Sequence, residues 1–230
     1  MKQLEELINT KEPGWELVKE WIAAAKNPCR VLEADKERAA QELVHAQVTT
    51  RSPMGAIIYE TGGILINDGW LRILGSGHPE LDRGLAEWNK GKSFEAYGDQ
   101  PAFYLVADDV IGGYFAINGG ALGDQPGNVY YLAQDTLEWE DLGCGYSGFV
   151  NWALCGDVHK FYATFKWRTW KTDLAAISGN ETFAFYPFLW TRYEDINDLT
   201  RKAVSADEHF HFTMDMMRQL GEQDTAAATT

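Results

Sequence analysis

The chain has 230 residues, with 20 Lys and Arg against 34 Asp and Glu, a formal net charge of −14. Hydrophobic residues at 45% and charged residues at 23% exclude a wholly disordered or collagen-like chain. The negative balance argues against general nucleic-acid binding, which needs cationic surface for phosphates, and suits a basic partner or simply solubility.

Two helices are expected first. Over residues 13–27, Leu17, Val18, Trp21, Ile22 and Ala25 make one apolar stripe, with Pro13 suited to the first turn and Pro28 to a stop. A second helix follows Asp35 to about Gln47, burying Ala39, Ala40, Leu43 and Val44. Residues 55–61, 64–68 and 70–74 then read as β-rich runs, broken by Gly62-Gly63 and by the hairpin signal Asp68-Gly69. After a short segment near 81–89, strands are expected over 103–107, 113–117, 129–134 and 136–141, and a helix over 146–154. Residues 161–170 and 182–190 look strand-like. A final helix is capped by Ser205 with Glu208 three residues on, carries Phe210, Met214, Met217 and Leu220, and closes at Gly221.

Successive short strands without long intervening helices argue for an antiparallel sheet. The expected fold is a single α+β domain over residues 1–222, mostly antiparallel twisted sheet flanked by N-terminal and C-terminal helices, with a disordered tail at 223–230. Cys29, Cys144 and Cys155 show no C-x-x-C spacing and are expected as free thiols of a reducing compartment. With no signal-peptide core and no long apolar span, a cytoplasmic protein without a membrane partner is expected.

Charge is unevenly placed. From Ser93 to His159, 67 residues contain ten acids and no Lys or Arg. Among these acids are Asp108, Asp109, Asp135, Glu138, Glu140 and Asp141. Strand alternation over 136–141 would put Leu137 and Trp139 on one face and Thr136, Glu138 and Glu140 on the other. The run 160–171 inverts the sign, with Lys160, Lys166, Arg168 and Lys171 among aromatics, and reads as an amphipathic strand whose cations balance neighbouring acids.

Catalytic and metal motifs fail. Gly143-Cys144-Gly145-Tyr146-Ser147-Gly148 matches G-x-G-x-x-G but lacks the acid about 20 residues on that a dinucleotide ribose needs. Ser147 is followed by Gly148 and Phe149, which breaks a G-x-S-x-G elbow. His209 and His211 leave different sides of a helix, and no zinc or calcium spacing occurs. No cofactor and no metal are expected. Asp108 and Asp109 with Glu138 or Glu140 leave one enzymatic alternative, a glycosidase-like hydrolase with an aromatic-lined cleft.

The apolar run Leu105-Val106-Ala107 ending in Asp108-Asp109, turning at Gly112-Gly113 and returning as Tyr114-Phe115-Ala116-Ile117, resembles the central hairpin of the Smi1/Knr4-like (SUKH) superfamily. Val129-Tyr130-Tyr131-Leu132 and Tyr146-Ser147-Gly148-Phe149 are similar to its next strand and closing helix, so the likeness spans about 53–154. Over about 14–190, Gly69-Trp70-Leu71-Arg72-Ile73-Leu74-Gly75 and Phe185-Tyr186-Pro187-Phe188-Leu189-Trp190 resemble the bacterial family known as domain of unknown function 2625. The SUKH resemblance implies a fold without catalytic residues and, in many bacterial members, an immunity role against toxins, often nucleases. The expectation is therefore a non-enzymatic acidic module that binds a basic protein, such as a toxin. It would do so through Asp108, Asp109, Asp135, Glu138, Trp139, Glu140 and Asp141, with Trp139 as the aromatic anchor.

Overall fold

A computed structural model of the chain describes residues 1–227. Seven strands form one antiparallel meander, in which each strand pairs with the next in sequence. They are β1 (Cys29–Glu33), β2 (Thr61–Ile66), β3 (Leu71–Leu74), β4 (Phe103–Asp109), β5 (Tyr114–Asn118), β6 (Asn128–Leu132) and β7 (Trp139–Gly145). The β2–β3 hairpin turns at the expected place, with Asn67 and Asp68 both left-handed at φ 51° and 62° and Gly69 at 89°. Positive φ at consecutive turn residues matches the right-handed twist of the strands on either side.

Both faces of the sheet are covered. On β5, Phe115 packs on Phe149 of α6 (Tyr146–Cys155) with ring centroids 4.8 Å apart. The next residue back, Tyr114, meets Phe210 of α9 (Ala206–Ala227) on the other face at 5.1 Å. This double cover explains why the middle strands are continuous apolar runs. On the α6 side, α4 (Pro53–Glu60) packs on β2 and is covered by α2 (Gly14–Ala23) and α3 (Lys36–Ala46). On the other, β8 (Glu181–Tyr186) and β9 (Thr200–Ser205) form a separate antiparallel pair. This pair is joined to the main sheet by Phe183 N donating to Val110 O at 2.7 Å. The expected mixed fold with an antiparallel sheet is therefore observed.

Several element assignments are corrected. Residues 55–61 are not a strand: Pro53 takes the first helical turn and Ser52 Oγ accepts from Gly55 N at 3.1 Å, so the apolar Ala56, Ile57 and Ile58 lie in α4. Gly62 and Gly63 sit inside β2, where a Cβ on either would meet neighbouring atoms at about 3 Å or less. Residues 161–170 are not a strand either. They hold the end of α7 (Val158–Phe161), a short 3-10 turn and the start of α8 (Trp170–Leu174), separated from α5 (Leu85–Asn89) by the whole β4–α6 region. Strand β7 begins at Trp139, because Leu137 adopts φ 58° and turns inward instead of continuing an alternation. Ser205 does cap α9, its Oγ accepting from Asp207 N at 3.2 Å, but the helix passes Gly221 and reaches Ala227. The remainder of the expected tail lies outside the described residues. Helix α1 (Leu4–Leu7) and strands β1 and β9 had no sequence expectation.

A buried carboxylate pair and an acidic edge

Register places Arg72 of β3 directly opposite Asp108 of β4. Arg72 Nε donates to Asp108 Oδ1 at 2.6 Å, and Arg83 Nη1 donates to Oδ2 of the same carboxylate. Arg72 Nη1 reaches across to Glu181 O at the start of β8 at 2.5 Å, Arg83 Nη2 to Gly179 O in the loop before it at 2.7 Å, and Arg72 Nη2 donates to Asp109 O at 2.9 Å. Asp108 is 1% exposed and Arg72 also 1%. Burial alone would raise the Asp108 carboxyl, but the two guanidinium groups outweigh it and hold it below the ordinary carboxylate range.

Asp109 is 0% exposed and meets four donors. Ile111 N and Gly113 N donate to Oδ1 at 3.0 and 2.8 Å, and the Tyr131 and Tyr162 hydroxyls each donate to Oδ2 at 2.9 Å. Burial pushes its carboxyl up to about 6, against the pull of these hydrogen bonds. Gly112, at φ 85°, lets the chain turn here, and its missing side chain leaves room for the His209 ring. His209 Nδ1 lies 3.2 Å from the Tyr114 hydroxyl and 3.3 Å from Thr213 Oγ1. Burial pulls its imidazole down to about 4, so the ring is neutral near pH 7.

The expectation that Asp108 and Asp109 belong to an accessible face is thus corrected. Their hydrophobic strand carries them inward, and every carboxylate oxygen is occupied within the protein. Of the acids named for a carboxylate hydrolase, Asp108 and Asp109 are therefore buried, whereas Glu138 and Glu140 are exposed. A cavity of about 410 Å³ opens beside Arg30, Asp68, Glu80 and Ser178, with Arg72 on its wall, but neither Asp108 nor Asp109 lines it. Among the described residues, no group of three or more His, Cys, Asp and Glu is placed to hold a metal ion.

The other expected residues lie on the outer edge. Asp135, Glu138, Glu140 and Asp141 are exposed on the β6–β7 turn and on β7, the last strand of the sheet. Burial and then the charges of Asp135 and Glu138 raise the Glu140 carboxyl, which brings three of these acids into one electrostatic cluster. Asp141 accepts from Asn128 Nδ2 at 3.0 Å and Gly143 N at 2.8 Å. None of the four is ion-paired to a described Lys, Arg or His, whereas Glu80, Asp82 and Glu87 each hold an Arg. Trp139 is half-buried, its ring 6.1 Å from that of Phe103.

The accessible aromatic surface lies next door and was missed. Phe188 and Trp190 stack at 4.4 Å with planes 7° apart, and Phe212 of α9 packs 5.4 Å from Phe188. Tyr186 is 69% exposed and Phe212 40%. The signal was present in Tyr186-Pro187-Phe188-Leu189-Trp190 and in Phe212 on the face of α9 opposite buried Phe210 and Thr213. The partners that make these rings one ladder are far apart in sequence.

These features define a mixed α/β protein built on an antiparallel meander, with a closed ionic centre and an open acidic edge. The chain belongs to the family described as protein of unknown function DUF2625, whose profile matches residues 4–209. It is similar to an uncharacterised protein of Haemophilus influenzae (strain Rd), 46% identical over 211 residues that cover 91% of this chain and 92% of that protein. It is also similar to the uncharacterised protein YbfG of Escherichia coli (strain K12), 44% identical over 208 residues, covering 90% of this chain and 94% of that one. No solved structure matches the chain significantly. No helix among the described residues is long and apolar enough to cross a membrane.

Proposed function

We propose that the protein is a non-enzymatic acidic module that binds a basic protein, in its specific form an immunity-like protein that neutralises a basic nuclease toxin in the cytoplasm. The observation that supports this reading is the unneutralised cluster at Asp135, Glu138, Glu140 and Asp141 on the outer edge of the sheet. Exposed like charges held together cost self-repulsion, and a cationic partner relieves it while being steered to the site from a distance. The helix-covered antiparallel sheet supports kinship with the Smi1/Knr4-like superfamily as part of the same proposal. Asp108 and Asp109 have a different role in it: they hold the fold beneath the face.

The test is retention of native cytoplasmic proteins by the tagged chain, washed first at low and then at high salt. The wild type is expected to hold a stoichiometric basic protein that salt releases, and Glu138→Lys with Glu140→Lys to lose it. A partner held equally by that double variant would sink the acidic-edge reading.

A further inference from the structure

The β6–β7 turn joins the acidic edge to the aromatic ladder. Gln134 lines a small pocket together with Phe188, Trp190 and Phe212, and the next residue, Asp135, is exposed beside Glu138 and Glu140. Tyr193, three residues beyond Trp190, has its hydroxyl raised by burial and by the Asp135 charge, which agrees with this closeness. Gln134 is 1% exposed, and its Nε2 donor under the ladder has no hydrogen-bond partner.

We propose that the partner of the acidic edge also lays an apolar side chain on the Phe188–Trp190–Phe212 ladder, so that one continuous acidic and aromatic face selects a basic segment with an apolar residue beside its cations. This rests on the partner-binding reading above and names the chemistry it requires. The ladder is already assembled, with Phe188 and Trp190 stacked and the Phe212 ring tilted against both, so docking there costs little side-chain ordering. Aromatic faces take both apolar side chains and the flat guanidinium of Arg. The acids would then act as a rim that steers and orients, and the rings as the part that sets the lifetime of the complex. Phe212 is 40% exposed on α9, whereas Phe210 and Thr213 of the same helix are buried.

The experiment is site-specific photo-cross-linking of the full chain in its native cells. Glu140 or Phe212 is replaced by p-benzoylphenylalanine, with Val31 on the opposite edge strand, 36% exposed, as the control position. The same basic protein cross-linked at both 140 and 212 and absent at 31 is the expected result. Phe212→Ala should then weaken the purified complex roughly tenfold to thirtyfold while leaving its salt dependence unchanged. A cross-link at 140 alone overturns the aromatic extension and leaves the acidic-edge reading standing. A cross-link at 212 alone, or at neither position, overturns both.

Discussion

Asp108 and Asp109 and the acids of residues 135–141 come from the same 67-residue stretch without a Lys or Arg, yet they end in opposite environments. The first two are sealed within the fold: Asp108 is paired with Arg72 and Arg83, which lie 36 and 25 residues before it, and Asp109 accepts from two backbone N–H groups and two Tyr hydroxyls. The others stand at the sheet edge with no described cation against them. A charge gap in sequence therefore says nothing about which acids are free. What decides is whether strand register brings a guanidinium from outside the gap to meet the carboxylate, as it does between β3 and β4.

The contrast can be broken first at its buried end. Asp108→Ala leaves two buried guanidinium groups without their carboxylate and should cost about 3–5 kcal/mol in urea unfolding, enough to unfold a marginal domain. A variant as stable as the wild type would mean that the clasp carries no net stability.

Acid should act on the same region through His209. Its buried imidazole titrates at about 4 against an ordinary 6.5, so between those values the unfolded chain takes up a proton that the folded one refuses. Stability should accordingly fall by about 3 kcal/mol from this residue as pH drops through that window. Asp109 works the other way. Its raised carboxyl binds a proton in the folded state first, so acidification from about 6 toward the ordinary 3.8 stabilises. His209→Gln should leave only the Asp109 response of the two, and its unfolding midpoint should rise relative to wild type on acidification. Parallel pH profiles for the two proteins would contradict this assignment.

The smallest effect belongs to the edge. Glu138→Lys with Glu140→Lys, which is expected to abolish partner retention, should change unfolding free energy by no more than about 0.5 kcal/mol, because these side chains are exposed and unpaired. A large loss of stability would show that the edge acids are structural, like Asp108.

Much of the meander was legible because its strands are local: each pairs with its sequence neighbour, and the turn residues at Asp68-Gly69 mark the hairpin directly. The cap at Ser205 was legible for the same reason, being a side chain that bonds to a backbone N–H two residues on, and Asp35, read only as the residue before the second helix, caps it by accepting from Arg38 N. Helix α4 was misread because Ala56-Ile57-Ile58-Tyr59 is apolar and β-branched without an alternation, and only the Ser52-Pro53 start distinguishes it from a buried strand. Residues 161–170 were misread because aromatics interleaved with cations mimic a two-residue period. In the structure Lys166 instead sits over the Trp170 ring at 4.6 Å, and Trp167 is buried. Of the expected surface residues, the four at 135, 138, 140 and 141 were legible as solvent-facing acids. Asp108 and Asp109 were not, because their burial depends on Arg72, Arg83, Tyr131 and Tyr162, which no local pattern connects to them.

The clasp has a consequence for dissecting the chain. Arg72 and Arg83 spend their outer donors on the carbonyls of Gly179 and Glu181, and Thr182 Oγ1 reaches back to Val110 O at 2.7 Å. A fragment ending near Leu154 would keep the two guanidinium groups and lose the acceptors that complete their solvation, as well as the Tyr162 hydroxyl on Asp109. The central hairpin and the C-terminal strands are thus halves of one polar joint, and a minimal piece cut around the hairpin would carry an open socket where the intact protein has a closed one.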